Sequence, residues 1–267
     1  GYAVPLWQAQ SAGLTILPVR TTPATGYRMT AEDLAATLAE HSGARAVYLT
    51  LSNNPTACAY APDELRALLA VLARYPDVRI FADMAYTGTG EPEEEQARLA
   101  VLADYAHPEQ ILSFWSFSKI LSMTGSRFGW VAIGDPALVP RLPVAWTNTL
   151  AALPAEWQLR FMAFFEMVRE HPELRAKLSA LYRLRRRALI RQLDTLNADL
   201  HLFDQTHAAD DGTVYIWARL APGENAFTLF EKTGIAGVPG SAFGYDDDHV
   251  RLSIGIVPVP GWEAVAE

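Results

Sequence analysis

The segment 116–130, SFSKILSMTGSRFGW, places one lysine among small hydroxyls and glycines, with an arginine eight residues after the lysine. The amine of Lys119 can condense with a carbonyl to form a Schiff base, and a nearby cation or partial desolvation lowers its pKa enough to make it nucleophilic. Neighbouring hydroxyls and the Arg127 guanidinium suit a phosphate dianion. The segment therefore suits an aldehyde cofactor that carries a phosphate, although an ordinary turn after a strand has a similar pattern.

Three other polar residues stand close to the ends of strand-like runs, as Lys119 does. Asn54 and Asp83 each follow an apolar, β-branched run, and Tyr86 comes three residues after Asp83. Open α/β sheets bind ligands at the carboxyl ends of their strands, so we expect these side chains to meet at one edge. Taken singly, Asn54 also fits a turn before proline, Asp83 a helix cap and Tyr86 a packing role. Their coincidence favours a site.

The elements that must position these residues alternate along the first half of the chain. Strand-like runs occupy 45–51, 78–82, 111–115 and 128–133, and helix-like segments occupy 30–41, 62–75 and 91–106. Thr30 is a capping residue with Asp33 three positions later, and Pro62 suits a first helical turn. Because each helix can be the crossover of a parallel strand pair, the pattern predicts an α/β fold with a mostly parallel sheet.

The pattern changes after Pro136. Apolar residues recur at helical spacing over 154–170 and 172–197, and the second segment is predicted to be one long helix. Short strands at 200–203, 213–220 and 250–256 around a helix at 226–233 are typical of a smaller α+β domain. We therefore predict a major domain over 1–170 and a C-terminal small domain over 171–267, with the helix 172–197 between them.

Composition excludes several classes of protein. The chain has 267 residues, half of them apolar, which is enough for a large core. A net charge of -8 argues against a nucleic-acid partner, and the basic run 183–191 has the pattern of a solvated helix face. The single cysteine argues against disulfides and fits a reducing cytosol. The lack of a clustered Cys/His set argues against a zinc site, and the lack of a long apolar run argues against a membrane span. The acidic run 91–95 is interpreted as a helix start and not as a metal site.

On these residues the chain resembles the class I/II aminotransferase family of fold-type I pyridoxal-phosphate enzymes, over about residues 2–251. The matching motifs are Asn54-Pro55-Thr56, Asp83-Met84-Ala85-Tyr86, Ser116-x-Ser118-Lys119, Gly125-x-Arg127-x-Gly129 and Val250-Arg251-Leu252. The resemblance implies an aspartate-aminotransferase-like fold: a partial major domain that is a three-layer α/β/α arrangement with a mostly parallel sheet, and a smaller C-terminal α+β domain. It also implies pyridoxal 5′-phosphate as the cofactor.

By that resemblance, three residues would be catalytic. Lys119 would carry the internal aldimine and then move the proton between the substrate Cα and the cofactor's C4′. Asp83 would keep the pyridine nitrogen protonated, so that the ring acts as an electron sink. Tyr86, together with Asn54, would hydrogen bond to the ring oxygen O3′.

The resemblance also implies binding roles. Arg127, Ser116 and Ser118 would hold the phosphate, and Tyr2 would either stack on the ring or pack in the core. Arg251 and Asn54 are the expected substrate-binding residues, with Arg251 as the bidentate receptor of the α-carboxylate. A surface arginine at a strand end is the other interpretation of Arg251. No metal ligand is expected.

The chain departs from the family pattern in two places. Ala57 and Cys58 follow Asn-Pro-Thr where the family usually has glycine, so we expect an altered turn there. The family's glycine-rich phosphate loop and a tyrosine that reaches the neighbouring subunit would precede the first residue, and the segment 262–267 stops short of the family's closing helix. We expect either part of a longer protein or a shortened member that completes its site in another way.

The first expected function is therefore transfer of an amino group between a 2-amino acid and a 2-oxo acid. A pyridoxal-phosphate carbon-sulfur or other β-lyase is the alternative, because the segment 125–130 also resembles the alliinase-like lyases, and fold and cofactor do not choose which bond breaks. A non-catalytic fragment or regulatory module of the same fold is the third possibility. We expect a cytoplasmic homodimer whose partners are small molecules, an amino acid and a 2-oxo acid. We expect neither a nucleic-acid partner nor association with a membrane.

Overall fold

The computed structural model describes residues 2–150, 154–209 and 214–259. Strands from the first half of the chain form a four-stranded sheet in the order β1-β2-β3-β4. These strands are β1 (Ala46–Thr50), β2 (Arg79–Asp83), β3 (Ile111–Ser116) and β4 (Gly129–Ile133). The first three run parallel and β4 runs antiparallel to β3, so the carboxyl ends of β1, β2 and β3 share one edge.

Four helices precede or connect the parallel strands: α1 (Val4–Ser11), α2 (Ala31–Glu40), α3 (Pro62–Leu72) and α4 (Pro92–Ala103). The sequence pattern does not indicate α1. The helix α2 begins where the sequence predicts, because Thr30 Oγ1 accepts a hydrogen bond from the Asp33 amide at 3.1 Å. Leucines of α3 share one core with alternate residues of β1 and β2, which leaves Tyr48 and Asp83 on the opposite face of the sheet.

The second half of the chain forms a separate antiparallel sheet with its own core. The helices before it are α5 (Phe117–Ile120), α6 (Leu142–Leu150), α7 (Ala155–Glu170) and α8 (Glu173–Leu200). The sheet has the order β5-β6-β8-β7, from β5 (Phe203–Gln205), β6 (Tyr215–Leu220), β7 (Val238–Pro239) and β8 (His249–Ser253), with α9 (Ala226–Thr233) between β6 and β7. Residues of α8, β6, α9 and β8 fill its core. The division near residue 170 stays a prediction.

The end of α8 differs from the sequence-based prediction. The helix continues to Leu200, so the predicted strand at 200–203 is wrong, and the strand there begins at Phe203. His201 takes a left-handed φ of 51°, which ends the helix. The side-chain amide of Asn197 then pairs with both the N–H and the carbonyl of Phe203, at 2.7 and 2.9 Å, and so sets the start of the strand. The predicted strand 213–220 starts at Tyr215, and its first residue, Thr213, lies outside the described residues.

The basic run 183–191 is only in part a solvated helix face, because Arg187 and Arg191 are exposed whereas Arg186 is not. Arg186 is 4% exposed and donates hydrogen bonds to the backbone carbonyls of Tyr215 and Ala209. Arg183 forms an ion pair with Glu91 at 3.4 Å. A buried guanidinium needs acceptors within reach, and here they are two carbonyls of the main chain. Within the described residues, no helix combines the length and apolar character needed to cross a membrane.

Candidate active site

The carboxyl edge of the first sheet collects the polar residues named from the sequence. Asp83 is the last residue of β2 and pairs with Phe114 of β3. Asn54 follows β1 after three residues and is 4% exposed. Lys119 lies in α5, the short helix that starts directly after β3. Because β1, β2 and β3 are parallel neighbours, the fold brings all three residues to the same edge.

Two donors hold the carboxylate of Asp83. Its Oδ1 accepts a hydrogen bond from the Ala85 amide at 2.9 Å, and its Oδ2 accepts one from the hydroxyl of Tyr48. Burial, and then the negative charge of Asp83, raises the pKa of the Tyr48 phenol well above its ordinary value, so this group remains a protonated donor. Sequence reasoning missed Tyr48. Only the strand register shows that Tyr48 and Asp83 share a face, two positions apart along neighbouring strands.

The local structure around Lys119 is a single helical turn. Ser116 caps it, because its Oγ accepts a hydrogen bond from the Ser118 amide at 3.1 Å. The Tyr182 hydroxyl, from α8, donates to the Lys119 carbonyl at 2.8 Å. The Nζ of Lys119 lies 5.8 Å from the ring centroid of Tyr215, a residue of the second sheet. The lysine is thus held between the end of β3, the long helix and β6.

The loop that returns from Lys119 to β4 carries Arg127. This arginine has a left-handed φ of 53°, its side chain is exposed, and its Nη1 donates to the Thr124 carbonyl at 3.1 Å. A Cβ at Gly129 would overlap the carbonyl oxygen of Trp115, so only glycine allows the loop to fold back this closely on β3. The loop therefore returns to the strand end that also carries Ser116, and Ser118 is in the adjoining turn.

Arg251 reaches the same edge from the second sheet. Its Nη1 donates a hydrogen bond to Asn54 Oδ1 at 3.1 Å, and its guanidinium carbon lies 4.1 Å from the ring centroid of Tyr215 and 4.8 Å from that of Phe243. These contacts join residues nearly two hundred positions apart in the chain. They argue against the surface-arginine interpretation, because the side chain is half-buried between rings and an amide.

Tyr86 packs against the same tyrosine. The ring centroids of Tyr86 and Tyr215 are 5.9 Å apart with an interplanar angle of 67°. Burial, and then the neighbouring phenol of Tyr215, raises the pKa of the Tyr86 phenol well above its ordinary value, so this side chain is a neutral hydrogen-bonding group. Sequence reasoning missed Tyr215 as well, since it stands in a strand of ordinary apolar pattern far from every motif.

Tyr2 lies at the start of the described residues. Its side chain is 47% exposed, which does not fit simple core packing. The stacking role expected for Tyr2 stays a prediction.

The turn after Asn54 keeps a backbone shape that glycine favours. Ala57 is fully buried and has a φ of 61°, in the left-handed region. The Ala57 amide donates to the Asn53 carbonyl at 2.9 Å and the Cys58 carbonyl accepts from the Asn53 amide at 3.0 Å. The alanine that replaces the family's glycine is thus accommodated in a closed turn beside Asn54.

Glu95 fixes the loop that carries Tyr86. Glu95 is the buried one of the acidic residues that open α4. Its two carboxylate oxygens accept hydrogen bonds from the Gly88 and Gly90 amides, at 2.7 and 2.9 Å. Burial raises the pKa of this carboxyl above its ordinary value. The sequence interpretation of 91–95 as a helix start is incomplete, because it gives no reason for a buried carboxylate. Among the described residues no cluster of three or more potential metal ligands occurs.

We expect Glu95→Ala to lower the free energy of unfolding by about 2 to 4 kcal/mol, because two buried backbone donors lose their acceptors. Urea unfolding followed by circular dichroism measures this loss. Glu93→Ala is the matched control, since Glu93 is exposed in the same helical turn. Equal stability of the two variants would contradict a clamping role for Glu95.

The side chains at this edge fit the group that the resemblance implies. An aldehyde requires an amine, and a pyridinium nitrogen requires a carboxylate such as that of Asp83, which two donors hold. A ring oxygen requires a neutral phenol, and a phosphate requires serine hydroxyls and a guanidinium, which the turn after β3 and the following loop carry. The half-buried guanidinium of Arg251 adds a receptor for a carboxylate.

Solved structures of aminotransferases share this fold. An aspartate aminotransferase from Thermus thermophilus superposes with a TM-score of 0.78 at 20% sequence identity, over 99% of this chain and 65% of that one. An aminotransferase from Mycobacterium tuberculosis gives a TM-score of 0.74 at 24% identity, over 98% of this chain and 65% of that one. The fold is thus the aspartate-aminotransferase-like fold that the sequence predicts, with its mixed, mostly parallel sheet.

The chain belongs to the aminotransferase class I and II family, whose model matches residues 7–258. Among curated relatives, the LL-diaminopimelate aminotransferase of Nitratidesulfovibrio vulgaris is 29% identical over 205 residues, covering 75% of this chain and 50% of that protein. The LL-diaminopimelate aminotransferase of Desulforudis audaxviator is 29% identical over 262 residues, covering 93% of this chain and 62% of that protein. The chain therefore spans about half to three-fifths of the length of these relatives.

Proposed function

We propose that this chain carries the active site of a pyridoxal-phosphate-dependent aminotransferase, which moves an amino group between a 2-amino acid and a 2-oxo acid. One observation carries the proposal: Lys119 and Arg251, from distant segments, lie beside the same Tyr215 ring, and Arg251 also donates a hydrogen bond to Asn54. Family membership and relatives named as aminotransferases support the reaction class. The identity of the amino acid is left open by this argument.

Each residue contributes a separate task. Pyridoxal phosphate, when bound, supplies the electron sink that makes the substrate Cα–H acidic. The Lys119 amine takes the proton from Cα and returns it, since it is the one basic side chain on the turn after β3. Asp83, held by Tyr48 and the Ala85 amide, presents a fixed negative charge to a cationic ring nitrogen. The buried phenol of Tyr86 donates to the ring oxygen.

The phosphate and carboxylate ends of the site are set by separate groups. The hydroxyls of Ser116 and Ser118 and the guanidinium of Arg127 hold the phosphate at the start of α5. The guanidinium of Arg251, already oriented by Asn54, holds the α-carboxylate through its remaining N–H groups. Fixing both ends leaves the Cα–H bond within reach of Lys119.

A single half-reaction tests this function. The intact protein loaded with pyridoxal phosphate is mixed with an amino acid in the absence of any 2-oxo acid, and the bound cofactor and the products are measured. We expect the amino group to stay on the protein as pyridoxamine phosphate while one equivalent of 2-oxo acid appears. Continuous release of pyruvate and ammonia would identify the β-lyase instead. Loading with cofactor but no change with any amino acid would identify a non-catalytic module.

Arg251→Lys is expected to raise KM for the amino acid about 10- to 100-fold with a smaller change in kcat. Lysine keeps the charge but loses the planar fork that binds a carboxylate through two parallel hydrogen bonds. Steady-state kinetics of the two variants give the comparison. Arg219→Lys is the control, because Arg219 is an exposed arginine of β6 whose ion pairs with Asp204 and Asp248 lie on the surface. Equal KM values for both variants would contradict the role of Arg251.

The homodimer implied by the family is also part of the proposal, and α7 supports it. None of the sixteen residues of α7, all within the described part of the chain, is buried. The helix nevertheless exposes several large apolar side chains, namely Trp157, Leu159, Met162, Phe165 and Met167. Exposed apolar side chains in this number are typical of an association surface, and a second copy of this chain is the proposed occupant. The cytosolic location stays a prediction.

Leu159→Glu is expected to weaken association of the intact protein about 100-fold, because two copies of the interface would each receive a buried charge. Sedimentation at several protein concentrations measures the dissociation constant. Leu200→Glu is the matched control, since Leu200 is an exposed leucine at the end of α8. A protein that is monomeric before substitution, or a dimer that tolerates Leu159→Glu, would contradict this surface as the dimer contact.

A further inference from the structure

Tyr215 lies where three candidate site residues meet. Its ring centroid is 4.1 Å from the guanidinium carbon of Arg251, 5.8 Å from Lys119 Nζ and 5.9 Å from the ring centroid of Tyr86. These partners belong to β8, to α5 and to the loop after β2, so one side chain lies beside three separate segments of the site.

We propose that Tyr215 is a positioning residue, whose ring holds the Arg251 guanidinium in place for a carboxylate; this inference rests on the proposed function. The carboxylate receptor on β8 is thereby tied to a side chain of the neighbouring strand β6. Because the contact uses the ring, the ring and the hydroxyl of Tyr215 can be removed separately to test it.

The ring contact limits the orientation of the Arg251 guanidinium. A guanidinium over an aromatic face is attracted to the ring's electrons and prefers a flat approach. Phe243 adds a second ring at 4.8 Å, and Asn54 takes one N–H group at 3.1 Å. The remaining N–H groups are left with a fixed direction, so a carboxylate binds without the entropy cost of ordering a free arginine.

The backbone of Tyr215 is itself fixed by hydrogen bonds. Its backbone carbonyl accepts a hydrogen bond from Arg186 Nη1 at 2.5 Å, and the same buried guanidinium donates to the Ala209 carbonyl. Its backbone pairs with Ser253 at the end of β8. The buried arginine of the long helix therefore sets the position of the first residue of β6.

Two variants of the intact protein test the inference. Tyr215→Leu removes the ring, whereas Tyr215→Phe keeps it and is the matched control. The readout is affinity for propionate, a carboxylate that makes no demand on a side-chain pocket, measured by calorimetry with pyridoxal phosphate bound.

We expect Tyr215→Phe to bind propionate within about twofold of the wild type, because the aromatic face beside the guanidinium is kept. Tyr215→Leu is expected to weaken propionate binding about 3- to 30-fold, because the guanidinium loses that face.

Unchanged propionate affinity in folded Tyr215→Leu would overturn the role of the ring. Where Tyr215→Leu fails to fold, Tyr215→Met gives the same comparison with an unbranched side chain, and unchanged affinity there would overturn the role equally. In both cases the proposed function stands, because the wild type binds cofactor and carboxylate. A wild-type protein without cofactor absorbance would instead overturn the proposed function and this inference together.

Discussion

Lys119→Ala is expected to abolish turnover, with kcat reduced by about 10⁴-fold or more. The reason is that one amine both anchors the aldehyde and moves the Cα proton, and no other base stands on the turn that follows β3. The variant is also expected to lose the long-wavelength absorbance that a covalently bound cofactor gives. Steady-state assay of the intact protein and absorbance spectra measure the two effects.

Lys232→Ala is the matched control for that experiment. Lys232 is a surface lysine of α9 paired with Glu224 at 2.5 Å. The control is expected to keep both activity and absorbance. If Lys119→Ala kept more than about a hundredth of the wild-type rate, Lys119 would not be the base, and the mechanism on which the proposed function rests would be contradicted.

Asp83→Asn is expected to lower kcat about 10³-fold while changing cofactor affinity less than about tenfold. Asparagine is nearly isosteric: its oxygen can still accept from the Ala85 amide, and its NH2 group can donate to the Tyr48 hydroxyl oxygen, so the geometry of the edge is kept. What is lost is the charge that keeps a ring nitrogen cationic, and that charge matters most when negative charge develops at Cα. Kinetics at saturating substrate and equilibrium dialysis of pyridoxal phosphate measure the two quantities.

Asp104→Asn provides the control, because Asp104 is a carboxylate at the end of α4. A comparable fall in kcat for both variants would point to a general effect on folding. If Asp83→Asn weakened cofactor binding as strongly as it lowered kcat, Asp83 would be a binding residue and not an electrostatic one.

The sequence was sufficient to predict the parallel strands and the residues at their ends. The strands β1, β2 and β3 begin and end within about two residues of the predicted runs, since buried parallel strands are nearly continuous apolar segments. Asn54, Asp83 and Lys119 were then placed at one edge by the general rule for open sheets. The family motifs assigned roles to the same residues.

The supporting residues could not be predicted in this way. Tyr48 faces Asp83 only through the strand register, and Tyr215 meets Arg251 only because β6 and β8 are antiparallel neighbours. Arg186 looks like a solvated residue in a basic run and is buried, since its partners are backbone carbonyls that carry no sequence signal. The role of Glu95 could not be predicted for the same reason, because its carboxylate accepts hydrogen bonds from glycine amides of the main chain. Motifs show which residues react, whereas tertiary pairing decides what holds them.

The account depends most directly on a covalent bond between the cofactor aldehyde and one lysine. The intact protein, saturated with pyridoxal phosphate, is reduced with sodium borohydride, digested and analysed by mass spectrometry. The account predicts a reduced phosphopyridoxyl group on the peptide that contains Lys119, in near-stoichiometric yield. An unlabelled Lys119, or the same label on Lys177 or Lys232 in its place, would contradict it.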